Sequence, residues 1–286
     1  LAEGIRSILP ICDEFVIAVG KGDPDDRTRE RIEAIGDPRI RIIDTEWHDR
    51  EELGGRIHSQ QTNIALERCT GDWCFYLQAD EVVHEEYLAV IRKRCEQLLH
   101  RPEVDGLVFA YRHFWGDYRH YLLSHAWYPL EIRIVRNGRG IRSWKTAQSF
   151  RREGRKLRAA RVAAEIFHYG WVRPPRLMQA KIVEFSTTHR GRAEAHRMYG
   201  REPAFDYGSL ARLPVYNGTH PSVMQPWLDR FDWGDQLQYE GPSRVRHKQD
   251  RFKYRCLTFL EQAVLRGRFF FGSNNWRPVR GIPREA

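Results

Sequence analysis

The sequence predicts an α/β protein: a mostly parallel sheet flanked by helices, a smaller antiparallel part, and an irregular, partly helical tail. Three observations carry that expectation. Short apolar runs alternate with amphipathic stretches as far as Trp115. From Pro129 to Trp171 the chain reads instead as strands joined by tight turns. Past Gly191 the periodicity fades, and Pro, Gly, Trp and Tyr accumulate. A core domain over 1–190 and an extension over 191–286 are therefore expected.

The chain opens on an amphipathic helix, LAEGIRSIL, with Ile5, Ile8 and Leu9 on one face. EFVIAVG, 14–20, is a β-branched run that ends in Gly, as a buried strand does. KGDPDDRT is a turn, and RERIEAIG is a helix stopped by Gly36. RIRIIDTEW is the second strand. SQQTNIALERCTG is a helix expected to turn Ile64, Ala65 and Leu66 to the core. WCFYLQ, HEEYLAVIRKRCEQLLH and DGLVFAYRHFW read as strand, helix and strand. PLEIRIVRN begins the antiparallel part, with turns at Asn137–Gly138 and near Gly154. A helix follows from about Pro175 to His189, and a last one spans RFKYRCLTFLEQAVLRG.

The chain has 286 residues and a net charge of +9, which favours anionic partners: nucleic acid, acidic membrane or phosphorylated small molecules. Five scattered cysteines without CxxC spacing argue for reduced thiols in a cytoplasmic protein, not a disulfide frame or zinc site. No stretch approaches the roughly 20 apolar residues of a membrane helix, and no secretory signal is visible. RREGRKLRAAR, 151–161, is basic enough to lie on an anionic membrane surface at the inner face. It lacks interleaved aromatics, and no nucleic-acid module is recognisable, so no nucleic-acid partner is expected.

In CFYLQADEVVHEE an apolar strand runs into Gln78, Ala79, Asp80 and Glu81. Ligands of parallel α/β sheets bind beyond the carboxyl ends of strands. Carboxylates there suit a divalent cation and substrate phosphates. The alternative is a helix start, with Asp80 as cap and Glu81 against the dipole.

ERCTGDWCFYLQADEVVHEE resembles the Asp-x-Asp region of inverting family-2 glycosyltransferases of GT-A fold, with Gln78 in place of the first aspartate. DEFVIAVGKGDPDDRTRERI resembles their second strand and loop. AEIFHYGWVRPP resembles a late strand of bacterial members. The resemblance implies a GT-A-like, Rossmann-like sheet that starts here at its second strand. It implies a nucleotide-sugar donor, held by Asp23, Asn63, Gln78, Ala79, Asp80 and Arg173. It also implies Mn²⁺ or Mg²⁺ on Asp80 and His168, and a saccharide or lipid-linked acceptor.

A carboxylate must take the acceptor proton. Glu131 is the first candidate and Glu165 the second; cross-strand pairing with Arg133 or Arg142 is the structural alternative. Trp115, Trp127, Trp144 and Trp171 are candidate sugar platforms. Two other functions fit a carboxylate rim: a nucleotidyltransferase, or a non-catalytic basic adaptor derived from a transferase.

Overall fold

A computed structural model describes residues 1–22, 24–46, 54–265 and 275–282. The first half runs α1 (Ala2–Ile8), β1 (Phe15–Gly20), α2 (Thr28–Glu33), β2 (Ile40–Thr45), α3 (Ile57–Leu66), β3 (Trp73–Phe75), β4 (Glu81–Val83), α4 (Leu88–Leu98), β5 (Gly106–Trp115) and β6 (Tyr121–Leu122). Then come β7 (Leu130–Arg136), β8 (Ile141–Trp144), β9 (Ser149–Arg152), β10 (Arg155–Lys156), β11 (Arg158–Trp171), α5 (Pro175–Arg190), α6 (Arg192–Tyr199), α7 (Gln225–Leu228), α8 (Phe252–Phe259) and β12 (Arg277–Pro278).

The α/β class holds, but the central sheet is mixed. Its order is β12-β11-β5-β7-β3, with β4 also paired to β11 and β6 to β5. β5 and β11 are parallel neighbours, and β12 is parallel to β11. β7 lies antiparallel between β5 and β3. The sequence suggested a separate antiparallel part beginning at this strand. All seven of its residues are buried, as a strand covered on both faces requires. The separate antiparallel part is smaller: β8, β9 and β10. Its turns fall where expected, with Gly138, Gly140 and Gly154 at positive φ. β1 and β2 form a parallel pair of their own.

Two apolar layers cover the sheet. Leu107, Phe109, Ile134 and Ile166 pack with Ile8, Ile91 and Leu98 of the helices. Val108, Ile132 and Val135 pack with Ile141, Phe150 and Trp276 on the other side. Each such side chain contributes about 1.5–3 kcal/mol through burial. Beyond Gly191 the chain covers the carboxyl end of β5. Trp115 Nε1 donates to the Tyr207 carbonyl at 3.0 Å, and Trp233 Nε1 to that of Gly116 at 2.9 Å.

Two local expectations change. α3 buries Ile57, Ser59 and Gln61, while Ile64, Ala65 and Leu66 are only half-buried. The strand expected over WCFYLQ ends at Phe75. The chain then passes β7, β5 and β11 and rejoins the sheet on the far side of β11 as β4, antiparallel to it, with Glu81 opposite His168. That crossing brings Asp80 over the carboxyl end of the sheet. Among the described residues no helix is long and apolar enough to cross a membrane.

Candidate functional site

The crossing segment separates its two acids. Glu81 points into the protein and is fully buried. Arg133 of β7 grips it with two bonds, Nη2 to Oε1 at 2.7 Å and Nε to Oε2 at 2.9 Å. The Tyr111 hydroxyl donates to Oε1 at 2.7 Å, and the Gln78 backbone N–H to Oε2 at 3.0 Å. Tyr76 and Tyr111 flank the Arg133 guanidinium. A buried pair survives only when its remaining polar groups are satisfied, and here they are.

Asp80 points the other way, with a side chain 26% exposed. Its Oδ2 accepts from Lys181 Nζ of α5 at 2.8 Å, and the same ammonium donates to the Gly170 carbonyl at 2.8 Å. Its Oδ1 lies 3.8 Å from His168 Nε2. Burial raises the Asp80 pKa, but positive charge outweighs it, that of His168 whenever it is protonated and those of Lys181 and Arg173 throughout, and holds the carboxyl well below the usual carboxylate range.

The state of His168 follows from a chain of hydrogen bonds. His113 Nε2 is 2.9 Å from the Tyr128 carbonyl, which can only accept, so that nitrogen carries the proton. His113 Nδ1 is then bare and accepts from His168 Nδ1 at 3.0 Å. This leaves His168 Nε2 with its lone pair facing Asp80. Burial pushes both imidazoles toward the neutral form, His113 down to about 3.

Gly170 completes the arrangement. A Cβ there would lie 2.5 Å from Asp80 Oδ2 and 2.7 Å from His168 Nε2, so a side chain would fill the space between the two donors. The β11 ladder shifts register between His168 and Trp171, which turns Gly170 out of the regular pleat. A carboxylate oxygen and a neutral imidazole nitrogen thus face one space that glycine keeps open. Among the described residues no third His, Cys, Asp or Glu joins them.

Other expected site residues fare differently. The Gln78 side chain donates to the Tyr76 hydroxyl at 3.2 Å, and Ala79 is exposed beside it. The exposed Arg173 is close enough to Asp80 for its charge to help lower that pKa. Asn63 exchanges two bonds with the Ser143 backbone, tying α3 to β8, so its amide is committed to the fold. Asp23 lies outside the described residues.

Glu131 is no solvent-facing base. It is fully buried and accepts from Ile132 N–H at 2.9 Å, Ser149 Oγ at 2.9 Å and Asn275 Nδ2 at 2.8 Å. Burial pushes its pKa up despite these donors. Arg133, its suggested cross-strand partner, belongs to Glu81, and Arg142 pairs with Glu67. Glu165 is held by two bonds from Arg112.

Of the tryptophans, Trp115 is core, Trp144 is exposed, and half-buried Trp127 and Trp171 meet edge to face 5.5 Å apart. Trp127 also lies 5.3 Å from His113, which puts its ring beside the site. The basic run 151–161 is partly consumed by the fold. Arg152 and Arg158 pair with Asp105, and Arg151 bonds the Asn275 carbonyl. It borders an open groove of about 520 Å³ that Glu103, Asp105 and Glu153 share.

The residues missed from sequence are Lys181 and His113. Lys181 follows buried Met178 by three positions, so a lysine beside the inward stripe of α5 was the available signal. His113 sits in a run of buried residues near the end of β5. Compared with known proteins, the chain matches no family model, and no curated protein matches it.

Proposed function

We propose that the protein is a nucleotide-sugar-dependent glycosyltransferase that transfers its sugar with inversion to a saccharide or lipid-linked acceptor. One observation carries this reading: Asp80 and the bare nitrogen of His168 border the space left by Gly170, with Lys181 on Oδ2, the carboxylate oxygen that faces that space, and His168 Nε2 3.8 Å from Oδ1. The motif resemblance joins that geometry to a chemistry.

Transfer forms a bond from an acceptor hydroxyl oxygen to the anomeric carbon and breaks the bond to the donor diphosphate. Negative charge grows on the leaving phosphate, and preorganised positive charge lowers that barrier. Lys181, held by Asp80 and the Gly170 carbonyl, is one fixed cation, and exposed Arg173 is a second. Asp80 and His168 would hold a divalent ion, with Mn²⁺ better suited than Mg²⁺ to a site that includes imidazole nitrogen. When bound, such an ion offsets charge on the diphosphate. In this reading Gln78 stands in for the motif's first aspartate and hydrogen-bonds a donor hydroxyl. We assign the proton acceptor to neither Glu131 nor Glu165, since both serve the fold.

The test is calorimetric titration with UDP and GDP, with and without Mn²⁺, on the protein and on Asp80→Asn. Expected is nucleotide binding that Mn²⁺ strengthens and that weakens at least about tenfold in the variant. No nucleotide binding by the unaltered protein under either condition would sink the proposal. Release of pyrophosphate instead of nucleoside diphosphate from activated sugars would replace it with nucleotidyl transfer.

A further inference from the structure

α8 and the turn after it present an apolar, cationic face that the described protein leaves open. Their inner face is fastened. Glu261 is buried and lies 2.7 Å from His125 Nδ1. Thr258 Oγ1 accepts from the His125 backbone N–H at 3.0 Å, and Tyr254 stacks on the His125 ring. These contacts fix which side faces out.

On that side Phe252 is 82% exposed, Phe259 68% and Val264 59%. Phe252 and Phe259 are seven residues apart, two helical turns, and so share a stripe. A π turn over Leu260–Val264 lengthens the next step to five residues and brings Val264 under Phe259. Cys256 is exposed between the two phenylalanines. Arg251, Lys253 and Arg255 are exposed along the same segment. Among the described residues no carboxylate pairs with any of the three. The one acid between Arg251 and Leu265 is Glu261, which is turned inward.

Single exposed apolar residues are ordinary, but a stripe of three, rimmed by cations and free of acids, is an interaction surface. We propose that this face docks on an anionic lipid bilayer. Phe252, Phe259 and Val264 reach the boundary of the acyl chains, and Arg251, Lys253 and Arg255 meet the headgroup phosphates. Charge selects this occupant: from Arg251 to Leu265 the face has exposed cations and no exposed acid, with exposed Asp250 at its edge accepting from the His247 N–H, and such a face matches a sheet of negative headgroups. The basic run 151–161, with three acids in its groove, does not. Docking would also set the candidate site near the bilayer. His125 and Trp127 belong to one segment, and Trp127 lies 5.3 Å from His113.

The test is co-sedimentation of the full chain with phosphatidylcholine vesicles, with and without phosphatidylglycerol. No nucleotide or activity enters the readout, so it stands apart from the proposed transfer. Expected is binding that requires phosphatidylglycerol and weakens as salt rises. The paired Phe252→Ser, Phe259→Ser change should weaken it by more than about tenfold. The triple Arg251→Gln, Lys253→Gln, Arg255→Gln change should weaken it by roughly a hundredfold, about fivefold per cation. Circular dichroism checks that both variants remain folded. Absence of binding to anionic vesicles, equal binding to neutral ones, or indifference to both sets of changes would overturn the proposal. So would a dimer in gel filtration that the phenylalanine changes dissolve, which would make the face a self-association surface.

Discussion

Asp80 and Glu81 are neighbours in the chain, yet they sit in two different regions. Glu81 lies under the crossing segment, where Arg133, Tyr111 and a backbone N–H supply four bonds. Asp80 lies above it, with one oxygen on Lys181 and the other facing a bare imidazole nitrogen at 3.8 Å. The first region is closed: adding a ligand would remove a bond. The second has two electron-pair donors directed at one another, which favours a cation between them. One motif therefore supplies both an anchor and a candidate site, and the anchor holds the segment that carries Asp80.

The largest effect should come from breaking the closed region. Arg133→Met would leave the Glu81 charge buried without its partner, at a cost of about 3–5 kcal/mol. Asp80→Asn, whose side chain is about a quarter exposed and keeps an oxygen for Lys181, should cost less than Arg133→Met. Urea unfolding of both variants measures the contrast. Equal destabilisation by the two changes would erase the distinction between anchor and site.

The sequence made the alternating elements legible because apolar periodicity survives into structure wherever one face is buried. Asp80 is singled out by its place after an apolar run and by a motif resemblance, and His168 by resemblance; the structure brings the two within 3.8 Å. The pairing of strands was less accessible. In LEIRIVR, Glu131 and Arg133 alternate with apolar residues and suggest a half-exposed strand with charged partners across it. The structure buries all seven residues and gives the two charges separate partners from β4, β9 and the chain near Asn275. Those partners are distant in sequence, and nothing in the local pattern encodes them. Lys181, 101 residues beyond Asp80, was hidden for the same reason.

A second, smaller contrast is one of pH. A histidine whose folded pKa is depressed binds fewer protons folded than unfolded. Its stabilising contribution is therefore whole above the ordinary value of 6.5 and is lost as pH falls; for His113 the loss continues down to about 3. His168 and His220 are shifted in the same direction, chiefly by burial. Stability should fall between about pH 7 and pH 5, with His113 alone contributing roughly 2 kcal/mol. Asp80 titrates below this window, and Glu131, its pKa raised by burial, gains stability as pH falls and opposes the trend, so the fall itself comes from the histidines. Denaturation at several pH values measures the slope, and His113→Asn should flatten it by about one proton. An unchanged slope in that variant would mean that His113 carries its charge in the folded protein.

The smallest effect tests the space itself. Gly170 does not have the positive φ that would make glycine obligatory, so its constraint is the volume a methyl group would take. Gly170→Ala would place Cβ where Asp80 Oδ2 and His168 Nε2 converge, and one of the two must withdraw. If that space serves a cation, the apparent Mn²⁺ affinity measured with UDP present should drop by about tenfold or more. Metal-free nucleotide binding through Lys181 and Arg173 should change less. If the space serves only packing, the alanine should lower stability and leave the Mn²⁺ dependence untouched. Titrating Mn²⁺ into both proteins at fixed UDP, with their melting curves alongside, decides whether the open region is a site or only a looser part of the anchor.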